Sequence, residues 1–162
     1  MEVDSSSQIQ NDEELFDGLD VAVITKTAVL AEKFSLTKFE DYQKQAIDAA
    51  LKKQDVLVIQ PTGKGKSLCF QFPPVYEQKK ALVITPTISL MRDQTEQLNA
   101  YGLKVVYLGA SKRYTQQSQN ALSLSSDINL IFATPEWLFN PCNLEMIKKT
   151  VQPTEVILNS HR

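Results

Sequence analysis

The eight residues Gln60-Pro-Thr-Gly-Lys-Gly-Lys-Ser67 restrict this chain more than any other stretch. They follow a short apolar, β-branched run, Asp55-Val-Leu-Val-Ile59, which reads as a buried strand. They lead into Leu68-Cys-Phe-Gln71, so a helix is expected to start at about Gly65. Strand, glycine-bearing bend and helix in that order describe a phosphate cradle. Backbone amides have to converge on one point, which takes conformations that glycine reaches cheaply, and Gly63 and Gly65 supply two such positions in a chain with five glycines. The partial positive charge of the helix start adds to the attraction for an anion. Lys66 would then reach the β- and γ-phosphates, and the Ser67 hydroxyl would bind Mg²⁺. The pattern is Gly-x-x-x-x-Gly-Lys-Ser/Thr, with Gln60 where the first glycine usually stands.

The rest of the chain fits an α/β protein. Val23, Thr27, Leu30 and Phe34 recur at helical intervals across 21–34. Thr37-Lys-Phe-Glu40 reads as a capping box that opens a helix running to about Lys53. Further strands are expected at 81–85, 104–108, 129–133 and 155–158, with helices near 88–101 and 114–124. Strands separated by helix-length segments imply βαβ crossovers and a parallel sheet with helices on both faces. Residues 1–20 carry seven acids and no base, a local charge of −7, which leaves +5 on the remaining residues. That opening reads as an acidic disordered tail, followed by a helical lead-in over 21–54 and the nucleotide-binding domain over 55–162. The basic body suits a polyanionic partner without requiring one.

Several classes are set aside. Two cysteines are too few for a disulfide framework, and a single histidine, His161, argues against histidine-rich zinc sites and histidine triads. No apolar run approaches the roughly 20 residues that span a bilayer, and the opening lacks a secretory signal, so an intracellular protein with no membrane partner is expected.

Four segments in order resemble the RecQ family of ATP-dependent DNA helicases. They are the phosphate bend within 55–74, Leu82-Val-Ile-Thr-Pro-Thr-Ile-Ser-Leu-Met-Arg-Asp-Gln94, Ile131-Phe-Ala-Thr-Pro-Glu136, and upstream Phe39-Glu-Asp-Tyr-Gln43. The resemblance implies the first RecA-like motor domain of a P-loop NTPase, with ATP and Mg²⁺ as cofactors and single-stranded or forked DNA as partner. It also implies 3′→5′ movement and a nuclear location. Carried over, Gln43 would read the adenine edge, while Pro61, Thr62, Gly63, Lys64 and Gly65 would wrap the phosphates beside Lys66 and Ser67. Thr85, Pro86, Ser89, Arg92, Gln94 and Thr134 would face DNA. Each has a plainer reading too. Thr134-Pro135 is an ordinary helix start, Ser89, Met91 and Gln94 could be one helix surface, and Gln43 a solvated helix residue. Trp137 and Phe139 could stack on bases or anchor the core, and Cys69 reads as buried and inert.

The chain departs from the family pattern at Lys64, where a small residue is usual and a second positive charge now stands beside the phosphates, and in three further places. Glu40 stands where an arginine is usual, and Leu36 where an aromatic residue stacks on adenine. After 155–158 the chain reads Asn159-Ser-His-Arg162, where the family has Asp-Glu-x-His, so no acidic pair is there to hold the metal and orient water. The expectation is a partial motor that binds ATP and DNA but does not unwind duplex alone. A non-catalytic nucleotide- or nucleic-acid-binding module stays open. So does a small-molecule P-loop phosphotransferase, though that class has no need of the 82–94 segment.

Overall fold

The computed structural model describes residues 25–109 and 127–150, together with the backbone of 155–158. The acidic opening and the helix expected near 114–124 lie outside the described residues. The chain divides into two compact units, Met1–Phe39 and Glu40–Arg162. In the first, a helix over 25–34 (α1) buries Leu30 and Phe34 at the expected four-residue spacing and ends where Ser35 turns left-handed, φ 55°.

The second unit opens with α2, Asp41–Leu51. Its capping box differs from the expected one. Glu40, not Thr37, is the N-cap: its side chain accepts from the Gln43 amide, and Gln43 Oε1 accepts from the Glu40 N–H at 2.8 Å. Both pairs have the required three-residue spacing, and the helix uses the later one. Residues 54–60 form no strand, so the buried strand expected at 55–59 is corrected. Leu57 and Ile59 are 85% and 80% exposed. An apolar run is suited to burial but does not itself supply a neighbouring strand to pair with. The helix expected from Gly65 starts three residues later, as α3, Leu68–Tyr76, after a turn at Lys66 and Ser67.

Four short parallel strands follow: β1 Ala81–Ile84, β2 Val105–Leu108, β3 Leu130–Ala133 and β4 Glu155–Leu158, in spatial order β2-β3-β1-β4. The β1–β3 register sets Ala81 beside Leu130 and Ile84 beside Ala133, and Thr85 N–H extends the ladder to the Ala133 carbonyl at 3.0 Å. β3 is buried along its whole length, as a strand covered on both faces should be. On one face, Leu82, Val106, Leu108, Ile131 and Ala133 pack with Ile147, Trp137 and Leu138. These come from α5, Pro135–Leu138, and α6, Pro141–Thr150. Helix α4, Ile88–Ala100, runs against β2 and β3 and buries Met91, Thr95 and Leu98, which lie outside that cluster. The result is an α/β unit of RecA-like character, as the sequence implies. Among the described residues no helix is long and apolar enough to cross a membrane.

The C-terminus of α3 is braced by charge. Glu77 accepts from Lys53 Nζ at 2.7 Å and from Lys79 Nζ at 3.1 Å. Burial alone would raise its carboxyl pKa, but the two lysines bring it below the ordinary value. A depressed carboxyl pKa contributes stability that is present above the unfolded value and lost as pH falls through the folded one. Glu77→Gln is therefore expected to destabilise by about 0.5–1 kcal/mol at neutral pH. The difference should fade as pH falls through the folded value, as read from urea midpoints across an acidic pH series.

Candidate nucleotide and nucleic-acid site

The bend from Gln60 to Ser67 is held from outside by two neighbouring residues of α2. The Tyr42 hydroxyl donates to the Lys64 carbonyl, and Gln43 Nε2 donates to the Gly65 carbonyl at 3.0 Å. In a trans peptide the C=O and the following N–H point in opposite directions. Anchoring those two carbonyls on α2 therefore turns the Gly65 and Lys66 N–H groups away from it. The left-handed φ of Gly63 (82°) and Gly65 (80°) lets the chain bend this sharply. The amides of Gly63, Gly65, Lys66 and Ser67 have no acceptor among the described residues, so four donors stand ready for an anion. The Lys66 ammonium folds back onto the carbonyls of Gln60 (2.7 Å) and Pro61 (2.9 Å). Pro61, Thr62, Gly63, Lys64 and Gly65 are all exposed.

The surrounding groups keep their neutral forms. The Tyr42 phenol is raised above its ordinary value, by burial first and then by Cys69 and Glu40 nearby, against a lowering by its hydrogen bond with Gln43. It therefore stays a donor at neutral pH. Burial pushes the Cys69 thiol up to about 11, which keeps it protonated and unreactive, as the sequence suggests.

Gln43 is 5% exposed and spends one end of its amide on Glu40 and the other on Gly65, so it is neither a solvated helix residue nor an edge open to solvent. Ser67, at the end of the bend, is reached from α4: Gln94 Nε2 donates to Ser67 Oγ at 3.1 Å. A hydroxyl oxygen accepting one such bond keeps a second lone pair for a cation. Gln94 Oε1, buried without a partner among the described residues, adds an acceptor. These residues fit a Mg²⁺ that takes its other ligands from phosphate and water. Among the described residues no group of three or more His, Cys, Asp or Glu could hold a metal by itself.

The residues expected to face DNA fall into two sets. Pro86, Ser89 and Arg92 are exposed beyond the carboxyl end of β1 and along the outer side of α4. Thr85, Gln94 and Thr134 are buried. Thr85 Oγ1 has no partner among the described residues, and Thr134 Oγ1 accepts from the Trp137 N–H at 3.3 Å as the N-cap of α5, the plainer of its two readings. Gly109, at the end of β2, lies between Met91 and Thr134, since a Cβ there would sit 3.4–3.6 Å from their side chains. Trp137 packs against the core cluster, but Phe139 is 82% exposed and anchors nothing. Sequence reading missed Tyr42, whose hydroxyl no spacing rule marks, and Thr87, which caps α4 by accepting from Leu90 N–H at 3.4 Å. Thr87 was legible as a threonine just before a helical run.

A parallel sheet flanked by helices, a glycine-bearing bend tied to α2 and α4, and exposed polar residues past a strand end are the parts of a P-loop α/β domain. The sequence model of the DEAD/DEAH box helicases matches residues 40–157. The chain is 42% identical over 114 residues to the ATP-dependent DNA helicase RecQ of Haemophilus influenzae, covering 69% of this chain and 18% of that protein. It is 44% identical over 114 residues to that of Pasteurella multocida, with the same coverage. To the ATP-dependent DNA helicase Q1 of Rattus norvegicus it is 35% identical over 111 residues, 67% of this chain and 18% of that one. The chain belongs to the DEAD/DEAH box helicase family and is RecQ-like within it; it spans about 18% of the length of these relatives.

Proposed function

We propose that this chain binds ATP–Mg²⁺ and single-stranded DNA as the nucleotide-binding part of a RecQ-like DNA helicase motor. The observation that carries the reading is the bend at 60–67. Its carbonyls are drawn onto α2 and its amides left for an anion, with one ammonium and one hydroxyl beside them. Thr62, Gly63, Lys64 and Gly65 wrap the phosphates, Lys66 exchanges its loop carbonyls for phosphate oxygens, and Ser67 holds the metal. A Mg²⁺ held at Ser67 would offset the phosphates' negative charge. Tyr42 and Gln43 orient the loop from behind. Pro86, Ser89 and Arg92 meet the sugar–phosphate backbone, which gives affinity without sequence preference.

Residues 159–162 supply no carboxylate pair to hold water on the metal or to orient its attack. These 162 residues are therefore expected to bind ATP and DNA without sustained turnover or strand separation. DNA-stimulated hydrolysis by the purified protein would contradict that expectation.

The reading is tested by titrating a labelled oligonucleotide at several salt concentrations. Affinity should fall as salt rises, because phosphate contacts release counterions. Arg92→Ala, which removes one exposed cation, should weaken binding about threefold and flatten the salt slope by about one unit. Tight ATP binding with no affinity for DNA would favour the small-molecule phosphotransferase instead.

A further inference from the structure

Helix α4 has an outer side, where Ser89 and Arg92 are exposed, and an inner side of Met91, Gln94, Thr95 and Leu98. Three of the inner residues are explained by packing or by a bond within the helix, since Thr95 Oγ1 donates to the Met91 carbonyl at 2.7 Å. Gln94 is not. It is 6% exposed, its Nε2 reaches 27 residues back to Ser67 Oγ, and its Oε1 is buried with no partner among the described residues. A buried amide whose oxygen is unpartnered is costly unless the site uses it in another state.

We propose that Gln94 is a positioning residue: its amide nitrogen holds the Ser67 hydroxyl in the orientation that a Mg²⁺–nucleotide requires, and this contact ties the phosphate bend to α4. The inference rests on the ATP-binding reading above. Donation from Nε2 occupies one lone pair of Ser67 Oγ and aims the other. The neighbouring Oε1 can accept from a water on the metal. Because Arg92 sits two residues away on the outer side of the same helix, movement of Gln94 with the metal also moves the surface proposed to meet DNA. Occupancy of either site would then alter the affinity of the other, by the same factor in both directions.

The test compares binding of a fluorescent ATP analogue with Mg²⁺ and with chelator, using the whole purified protein. Gln94→Met keeps the volume and removes both polar groups, while Gln94→Leu removes them in a second apolar shape without adding charge. Both should lower the Mg²⁺-dependent gain in affinity about tenfold, leave metal-free binding within about twofold, and abolish the effect of single-stranded DNA on nucleotide affinity. In a Ser67→Ala background, Gln94→Met should have no further effect on the Mg²⁺ gain.

Equal losses with and without Mg²⁺ would assign Gln94 a packing role and overturn the proposal. So would an unchanged Mg²⁺ gain in both variants while Ser67→Ala removes it, a result that leaves the ATP-binding reading standing. Absence of nucleotide binding by the parent protein would sink both. Should Gln94→Met fail to fold, Gln94→Leu decides.

Discussion

Lys66→Ala is expected to weaken ATP–Mg²⁺ binding roughly 100-fold and to leave the unfolding midpoint almost unmoved. The two halves of that result have separate causes. In the structure the ammonium is satisfied by the Gln60 and Pro61 carbonyls at 2.7 and 2.9 Å, on a loop that is largely exposed. When the side chain is removed, water replaces it at those carbonyls, so no buried acceptor is orphaned and the fold loses little. A phosphate oxygen has no such substitute. Charge-assisted bonds are worth about 1.5–3 kcal/mol, and every 1.4 kcal/mol is about tenfold in affinity. Lys64→Ala is the control. That residue is exposed and its carbonyl, not its ammonium, is fixed by Tyr42. Loss of its screened charge should weaken binding only about threefold. Parallel titrations with a fluorescent ATP analogue and a thermal melt read both quantities. A dissociation constant for Lys66→Ala near that of Lys64→Ala would remove Lys66 from the phosphate site.

What the sequence shows well is what depends on local pattern. Strands β1, β2 and β3 are found within a residue of their expected ends, because each is a short apolar run closed by Pro, Gly or a helix cap. The same rule fails at Val56–Ile59. Its composition is indistinguishable from theirs, yet it stands exposed, because pairing depends on which sheet edge is at hand and no local pattern encodes that. The capping box fails for a different reason. Thr37–Glu40 and Glu40–Gln43 are both acceptable pairs one turn apart, and the second also lets Gln43 reach Gly65.

The candidate site divides along the same line. The glycines, lysine and serine of the bend are legible from spacing alone. The contacts that hold the bend are not, because Tyr42–Lys64, Gln43–Gly65 and Gln94–Ser67 join residues 22, 22 and 27 positions apart. Gln94 was assigned to DNA by its position in a motif. The fold turns it inward because residues three, four and seven apart on α4 share a face, and Met91, Thr95 and Leu98 fix that face as the buried one. Thr134, by contrast, was legible as a cap from its following proline.

Gly65→Ala should destabilise the protein by roughly 2–5 kcal/mol, whereas Gly63→Ala should cost about 1–2 kcal/mol. The backbone conformations are nearly the same, φ 80° and 82°, so a left-handed penalty of about 1–2 kcal/mol applies to both. The surroundings differ. A Cβ at Gly63 meets nothing within 4 Å, while one at Gly65 would lie 2.8 Å from Gln43 Nε2. The end of a glutamine usually swings aside, but this one is held at both ends. Its oxygen takes the Glu40 N–H that starts α2, and its nitrogen holds the Gly65 carbonyl. Moving it breaks at least one of those bonds, about 1–3 kcal/mol where the group is buried. Gln43→Ala removes the obstacle, so in that background Gly65→Ala should fall to the cost of Gly63→Ala. The cycle should therefore return a coupling energy of about 1–3 kcal/mol from urea midpoints. Equal costs at the two glycines in the parent protein would mean that α2 does not restrain the bend. The orientation of the Gly65 and Lys66 amides would then need another cause.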